Sequence, residues 1–548
     1  MKIRASTLTG LFALAGALVV LPAAASPDKA VARAASGAAA SPAAIDVPAL
    51  YAQHCAACHA PNRLGAMGPA LLPDNLGRLR KSEAAKVIAE GRPATQMAGF
   101  AAQLGKDEIA ALTEWIYTPV VPEPRWTDED IRASRVVHVD TANLSDKPVF
   151  DADPLNLFLV VEAGDHHVSV LDGDRLEPIH RFQSRFALHG GPKFAANGRY
   201  VFFASRDGWI TKFDLWNLKV VAEVRAGINT RNVAASPDGT HVAVANYLPN
   251  TLVLLDGELN LVKTIPAMDR DGKKSSRVSA VYDATPRQSF IAALKDVGEV
   301  WEISYTKAVE DIPISYIHDY TQREGSFIPG YLNPRRTILA EVLDDFFFTQ
   351  DYNEVMGASR EAGKGQVVNL DVRKKIANLP LDGMPHLGSG ITWEWQDPAA
   401  GPGARPRTVM ASTNLKAGEV TVIDMKTWEV VKRIPTRGPG FFLRSHSSSR
   451  YAFVDSMMSA EAKHILQVID KQTLEVVHEI TGEPGKTLAH VEFTRDGRHA
   501  LASLWEDEGA VIVYDARTLA EVKRLPMRKP VGKYNVWNKI TREEGTSH

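Results

Sequence analysis

The sequence predicts a multidomain chain, a small all-α module followed by an all-β eight-bladed propeller. Three observations carry that reading. Apolar residues recur at helical spacing between about residues 46 and 120. The run Thr118-Pro119-Val120-Val121-Pro122-Glu123-Pro124 then breaks the helical pattern. Beyond it a unit of turn, strand, loop and second strand returns at intervals of roughly 40 residues, which is how propeller blades show themselves in sequence. With the N-terminal segments included, the 548 residues divide into a signal peptide over 1–25, a disordered tether over 26–45, the helical domain over 46–120 and the propeller over 121–548.

Lys2 and Arg4 precede an apolar stretch from Leu8 to Leu21, and Pro22-Ala23-Ala24-Ala25-Ser26 offers the small residues of a cleavage site. The apolar stretch is short for a membrane span and no other stretch is long enough. The chain is therefore expected to be exported to the periplasm, with no membrane span. Residues 27–44 are rich in Ala, Ser and Pro without a hydrophobic period, and read as the tether.

Both cysteines of the chain fall in His54-Cys55-Ala56-Ala57-Cys58-His59. C-x-x-C-H is the attachment pattern of a c-type haem: the thiols of Cys55 and Cys58 add to the porphyrin vinyl groups, and the imidazole of His59 ligates the iron. A zinc site would need a second cysteine pair and a thioredoxin-like site a surrounding βαβ pattern, and the sequence offers neither. The helical part is thus expected to be a cytochrome c domain carrying covalent haem c, and electron transfer its task. Its later helices read as Ser82 to Gly91 and Lys106 to Tyr117, the second with Ile109, Leu112 and Ile116 on one face. The irregular stretch between them contains Met97, the candidate second axial ligand, because a downstream thioether raises the haem potential. Met67 is the rival, and its place beside the C-x-x-C-H turn suits packing under the haem.

The propeller units are visible as Ala196-Asn197-Gly198 followed by Tyr200 to Ala204 and Trp209 to Asp214, as Pro237-Asp238-Gly239 followed by Val242 to Ala245 and Thr251 to Asp256, and as Asp496-Gly497 followed by His499 to Ala502 and Ala510 to Asp515. Units beginning near Asn156, His189, Arg231, Arg277, Pro329, His386, Gly440 and His490 make eight. The balance of 63 basic against 65 acidic residues excludes a nucleic acid or an anionic membrane as a general partner. Any anion site must be local.

A haem c domain joined to an eight-bladed propeller resembles the cytochrome cd1 family, whose propeller holds the porphyrinoid haem d1 in its central cavity. The segment that carries the resemblance best is Phe186-Ala187-Leu188-His189, followed by Gly198-Arg199-Tyr200 and Ser205-Arg206-Asp207-Gly208-Trp209. The resemblance implies that His189 is the proximal ligand of the haem d1 iron. It further implies that His386, in Gly383-Met384-Pro385-His386, matches the second of two distal histidines that supply protons in the family's nitrite reductases. The first of that pair has no match where it would lie, in Ser326-Phe327-Ile328-Pro329-Gly330-Tyr331-Leu332-Asn333-Pro334-Arg335-Arg336. Loss of one proton donor should cripple nitrite dehydration, since general acid catalysis contributes factors of roughly 10²–10⁴.

The departure resembles the family's dehydrogenase branch, which acts on dihydro-haem d1 in the last step of haem d1 synthesis, turning a propionate into an acrylate. That likeness runs through Arg78 to Phe100, Arg323 to Arg336 and Gly485-Lys486-Thr487-Leu488-Ala489-His490-Val491-Glu492-Phe493. Such an oxidation needs a base and a sink for two electrons. The porphyrin iron and the haem c can take the electrons singly, so no nicotinamide or flavin is expected, and no glycine fingerprint for either is present. His490 is the candidate base, because a neutral imidazole has a pKa near ambient pH, and His386 the distal ligand or second proton carrier. Haem d1 also carries carboxylates that need cationic partners. Segment matching nominates Arg206, Arg231 and Arg444, with Tyr247 beside the ring. The expected partners are the dihydro-haem d1 substrate, a cytochrome cd1 nitrite reductase that receives haem d1, and a soluble periplasmic electron acceptor. A nitrite reductase with an unusual distal pocket and a non-catalytic haem d1 carrier are the alternative readings.

Overall fold

The protein is represented by a computed structural model that describes residues 45–543, apart from 67, 78, 92–96, 189, 315–324, 360–363, 382 and 402. The signal peptide, the tether up to residue 44, Met67 and His189 therefore lie outside the described residues.

The N-terminal module consists of helices at Val47–His54, Ala56–His59, Pro73–Leu76, Lys81–Glu90 and Lys106–Ile116. Asp46 caps the first of them, its carboxylate accepting from the Ala49 N–H, and Gly91 ends the fourth with a φ of +77° that favours glycine. Ile109, Leu112 and Ile116 are buried together with Tyr51, Leu76, Ile88 and Leu104, so the face predicted from spacing is the face that packs.

The remainder is a ring of eight sheets, each built on four consecutive antiparallel strands or closed by a distant one. The inner strands of blades 2 to 8 are Lys193–Ala195, Asn229–Ala235, Val278–Ala284, Asp345–Phe348, Ile391–Trp395, Leu443–Arg444 and Leu488–Phe493. Blade 1 takes its inner strand from the end of the chain: Pro530–Asn535 pairs with Leu157–Glu162, so the two ends of the propeller zip together. Each pair of neighbouring blades shares one hydrophobic cluster, for example Phe158 and Leu171 of blade 1 with Leu501 and Val511 of blade 8. Ring closure therefore buries apolar surface between every pair of neighbouring blades, while the short inner strands line the channel.

Two details differ from the sequence expectation. The unit placed near Pro329 is not a blade start. Phe327–Ile328 pairs with Ile312–Pro313 in a small hairpin, and Arg335–Ile338 is the outer strand of blade 4, paired with Glu299–Ser304. Blade 5 begins only at Asp345. Blade 2 also gains a fifth strand, Val136–Val137, at its outer edge, preceded by a helix at Asp128–Ser134.

The helical module is seated on blades 2 and 3. Arg225 donates to the carbonyls of Leu64 (2.5 Å) and Gly65 (3.3 Å) in the loop after the C-x-x-C-H turn, and to Asp207 O (2.9 Å) of the propeller. Its guanidinium lies 4.7 Å from the ring centre of Trp126, and Ala70 and Leu72 pack on Ile228 beside it. A buried arginine thus ties the loop after the C-x-x-C-H turn to the propeller wall through carbonyl oxygens, which its fork of donors suits.

Candidate active site

In the helical module the peptide chain turns sharply so that His59 packs under the loop 65–70. Its Nδ1 lies 2.7 Å from the Pro69 carbonyl oxygen, which can only accept, so Nδ1 carries the hydrogen and Nε2 keeps its lone pair. A Cβ at Gly68 would sit 2.8 Å from the His59 ring, so glycine is what lets the loop close on the imidazole. Burial and the neighbouring Cys58 push the Cys55 thiol up to about 11, the opposite of what a thiolate metal site does to its ligands. Two half-buried, unbonded thiols beside a histidine whose Nε2 is free of that bond fit thioether attachment of a haem c. Met97 follows the helix Lys81–Glu90 in a partly buried extended stretch, on the side of the module where Gly91 and Gly99 let two backbones approach closely. Met97→Ala is expected to leave the haem attached and to lower its reduction potential, and potentiometry checks it. An unchanged potential, with a drop in Met67→Ala instead, would transfer the ligand role to Met67.

The propeller channel holds a second constellation. His386 is buried at the start of blade 6, and its Nδ1 donates to Phe441 O at 2.9 Å, which again leaves Nε2 as the acceptor. A file of rings connects it to His490: His386 to Phe441 (4.0 Å between centroids), Phe441 to Phe442 (4.7 Å), Phe442 to His490 (4.5 Å) and His490 to Tyr534 (5.4 Å). The two histidines singled out in sequence therefore belong to one aromatic wall contributed by blades 6, 7, 8 and 1. His490 is 2 % exposed, and burial together with the cations Lys533, Arg444 and Lys539 lowers its pKa well below the ordinary imidazole range. The ring is neutral at any physiological pH, not merely near it.

Arg444 is buried beside His490 and Glu492, and its Nε has no hydrogen-bond partner among the described residues. On the facing side, Arg231 donates from Nε to Ser279 O (3.1 Å) and lies in the field of Tyr247, Asp345 and Tyr282. Lys193 joins the two halves, since its ammonium senses both Asp345 and Arg444 and stands 5.5 Å from the Tyr282 ring centre. Arg206 lies on the connection between the second and third strands of blade 2. Its backbone bonds Ala187 and Thr230, which fixes that loop against the segment leading to position 189. Tyr247, at the end of the second strand of blade 3, presents its ring to Arg277 at 5.5 Å.

Sequence reasoning missed Lys193, Lys533 and Lys539, which burial holds down to about 7, about 7 and about 8. It missed Glu492, held low by Lys539 and Arg444 after burial is offset, and Asp345, whose buried carboxyl accepts from Tyr282 Oη at 2.9 Å and is raised. The cations of this chamber outnumber the carboxylates that remain ionised, so it is built for a polyanion. The three lysines lose charge as pH climbs through 7 to 8, so affinity for a carboxylated porphyrinoid is expected to fall between about pH 7 and pH 9. Absorption titration at several pH values checks this, and constant affinity across that window would separate the lysines from the anion.

The described residues 152–539 match the family profile described as Cytochrome D1 heme domain, over most of the chain. The chain belongs to that family. Residues 42–116 match the profile described as cytochrome C oxidase, cbb3-type, subunit III, in agreement with the haem c fit of the helical module. The chain is 54% identical over 501 residues, 91% of its own length and 95% of the other's, to the dihydro-heme d1 dehydrogenase of Pseudomonas aeruginosa. It is 28% identical to Protein NirF of Stutzerimonas stutzeri over 69% of its length, and 24% identical to the nitrite reductase of the same organism over 89%. A solved structure of dihydro-heme d1 dehydrogenase NirN in complex with DHE superposes with a TM-score of 0.82 at 54% identity, covering 90% of this chain and 99% of that one.

Proposed function

We propose that the protein is a periplasmic dihydro-haem d1 dehydrogenase, which oxidises a propionate side chain of the haem d1 precursor to an acrylate. The observation that carries this reading is the union of high identity to a dihydro-heme d1 dehydrogenase over nearly the whole chain with a neutral, buried imidazole at position 490 beside a buried guanidinium at 444 whose Nε has no hydrogen-bond partner among the described residues. Removing two hydrogens from a CH₂–CH₂ unit releases two protons and two electrons. Haem c, when bound by Cys55, Cys58 and His59, would accept one of the electrons and the iron of the porphyrinoid substrate the other.

The chain's own residues bind and orient. Arg444, Arg231 and Lys193 take the carboxylates, which a buried guanidinium does through paired hydrogen bonds. Phe441, Phe442 and Tyr534 provide an apolar wall of mutually tilted rings against which a porphyrinoid packs and from which water is excluded. His490 accepts a proton from the saturated side chain. The Lys533 N–H approaches His490 Nδ1 at 3.4 Å. His386, with Nε2 unprotonated, serves as distal ligand or second proton carrier, and His189 as the proximal ligand. A soluble periplasmic acceptor drains the electrons, and a cytochrome cd1 nitrite reductase receives the product.

Mixing the oxidised holoprotein with the dihydro precursor under anaerobic conditions tests the reading. Conversion of the porphyrinoid bands to those of haem d1, with reduction of haem c, is the expected result. Binding without spectral conversion would make the protein a carrier, and nitric oxide release from nitrite would make it a reductase.

A further inference from the structure

The inner strand of blade 8 is bent where His490 sits. Pairing with the next strand runs from Ala489 opposite Ser503 to Glu492 opposite Leu501, so His490 and Val491 together face one residue, Ala502. This is a β-bulge, and the φ of His490 is +50°, the left-handed region that a residue with a Cβ rarely occupies. Such a kink takes the carbonyl of the bent residue out of the ladder, where a buried acceptor without a partner costs about 1–3 kcal/mol. Lys533 fills that place. Its ammonium donates to His490 O and, at 2.7 Å, to Ser503 Oγ, and its own peptide N–H approaches His490 Nδ1.

Lys533 is an expensive choice for the position. Its side chain is fully buried, and among the described residues no carboxylate pairs with it directly: Glu492 is engaged by Lys539 at 3.3 Å and by Asn538 at 2.9 Å. A buried ammonium held only by a carbonyl and a hydroxyl contributes less to stability than an apolar residue of the same length would. What it does contribute is local geometry and field at His490.

We propose that Lys533 is a positioning residue for His490, its ammonium capping the carbonyl freed by the bulge so that the imidazole is aimed at the substrate. Burial and the Lys533 charge together disfavour protonation of that ring. This rests on the dehydrogenase reading for its catalytic consequence, but not for its effect on His490 itself. The charged and titratable groups around His490 are Lys533 and Tyr534 on blade 1, Arg444 and Asp455 on blade 7, the latter accepting from the His490 backbone, Glu492 on its own strand and Lys539 on the C-terminal helix Val536–Thr541. Lys533 hydrogen-bonds the backbone of His490 directly.

Two variants separate aim from charge. Lys533→Met removes both, while Lys533→Gln keeps an amide donor for the carbonyl and removes the charge. With ¹³C-labelled histidine in the full-length holoprotein, and His490→Gln to assign the resonance, the His490 titration is expected to move upward in both variants. In single turnover with the dihydro precursor, Lys533→Met is expected to lose about 10–100-fold, as do other changes to groups that orient a reacting side chain, with precursor affinity within a few-fold of wild type. Lys533→Gln should recover most of that rate at alkaline pH and lose it at acid pH. Thermal unfolding identifies a folded variant. An unmoved His490 titration in folded Lys533→Met overturns the proposal, whatever the turnover, as does a wild-type rate at all pH values in an active series. A wild-type protein that converts no precursor would sink the dehydrogenase reading and leave the titration result standing.

Discussion

His490→Ala binds the dihydro precursor and loses most of its dehydrogenation, by roughly the 10²–10⁴ expected of a positioned proton acceptor. The effect should fall on the rate of conversion of bound precursor and not on affinity, because His490 touches the wall through Phe442 and Tyr534, which remain. The pH profile is part of the same expectation. Burial and three cations depress the His490 pKa, so its neutral, active form persists as pH falls through the ordinary imidazole range, and the acid limb of the single-turnover rate lies below it. The same depression makes folding less favourable in acid: the unfolded chain takes up this proton at an ordinary imidazole pKa and the native chain does not, so this contribution to stability is lost as pH falls below about 6.5. Single-turnover absorption at several pH values reads the rate. Near wild-type conversion in His490→Ala would move the proton to His386.

Arg444→Gln produces the second large effect, this time on binding. Truncating one partner of a buried charge pair costs about 2–5 kcal/mol, or roughly 30- to 4,000-fold in affinity, largely through faster dissociation. Arg444 satisfies the condition, since it is buried, its Nε is unpartnered among the described residues, and Glu492 is already engaged by Lys539. His189→Ala should also weaken binding, by removing the proximal bond to the substrate iron, while the fold survives. Equilibrium titration with the precursor distinguishes these from His490→Ala, and an Arg444→Gln protein with unaltered affinity would place the carboxylates elsewhere.

The architecture was legible in the sequence because both of its signals are local. C-x-x-C-H is contiguous, and each blade announces itself by a turn between two short strands. What failed was whatever depends on distant pairing. The inner strand Pro530–Asn535 completes blade 1 with a partner at Leu157–Glu162, a relation no periodic count reveals. Pro329 was mistaken for a blade start because turn residues there precede a strand at a plausible interval, and only the pairing of Arg335–Ile338 with Glu299–Ser304 shows that strand to be the outer edge of blade 4. In the site, His386, His490 and Arg444 stood out as chemically distinctive side chains, and the structure brings them to one wall. Lys193, Lys533 and Lys539 look like ordinary surface lysines in sequence, since burial of a charge is a tertiary fact.

The most direct test of dehydrogenation is the mass of the porphyrinoid extracted after one anaerobic turnover on the oxidised holoprotein, with haem c reduction followed in the same sample. Oxidation of a propionate to an acrylate removes two hydrogens from the precursor, and the account requires that loss together with electrons appearing in haem c. Precursor recovered at its original mass, from wild-type protein that had bound it and carried oxidised haem c throughout, would contradict it.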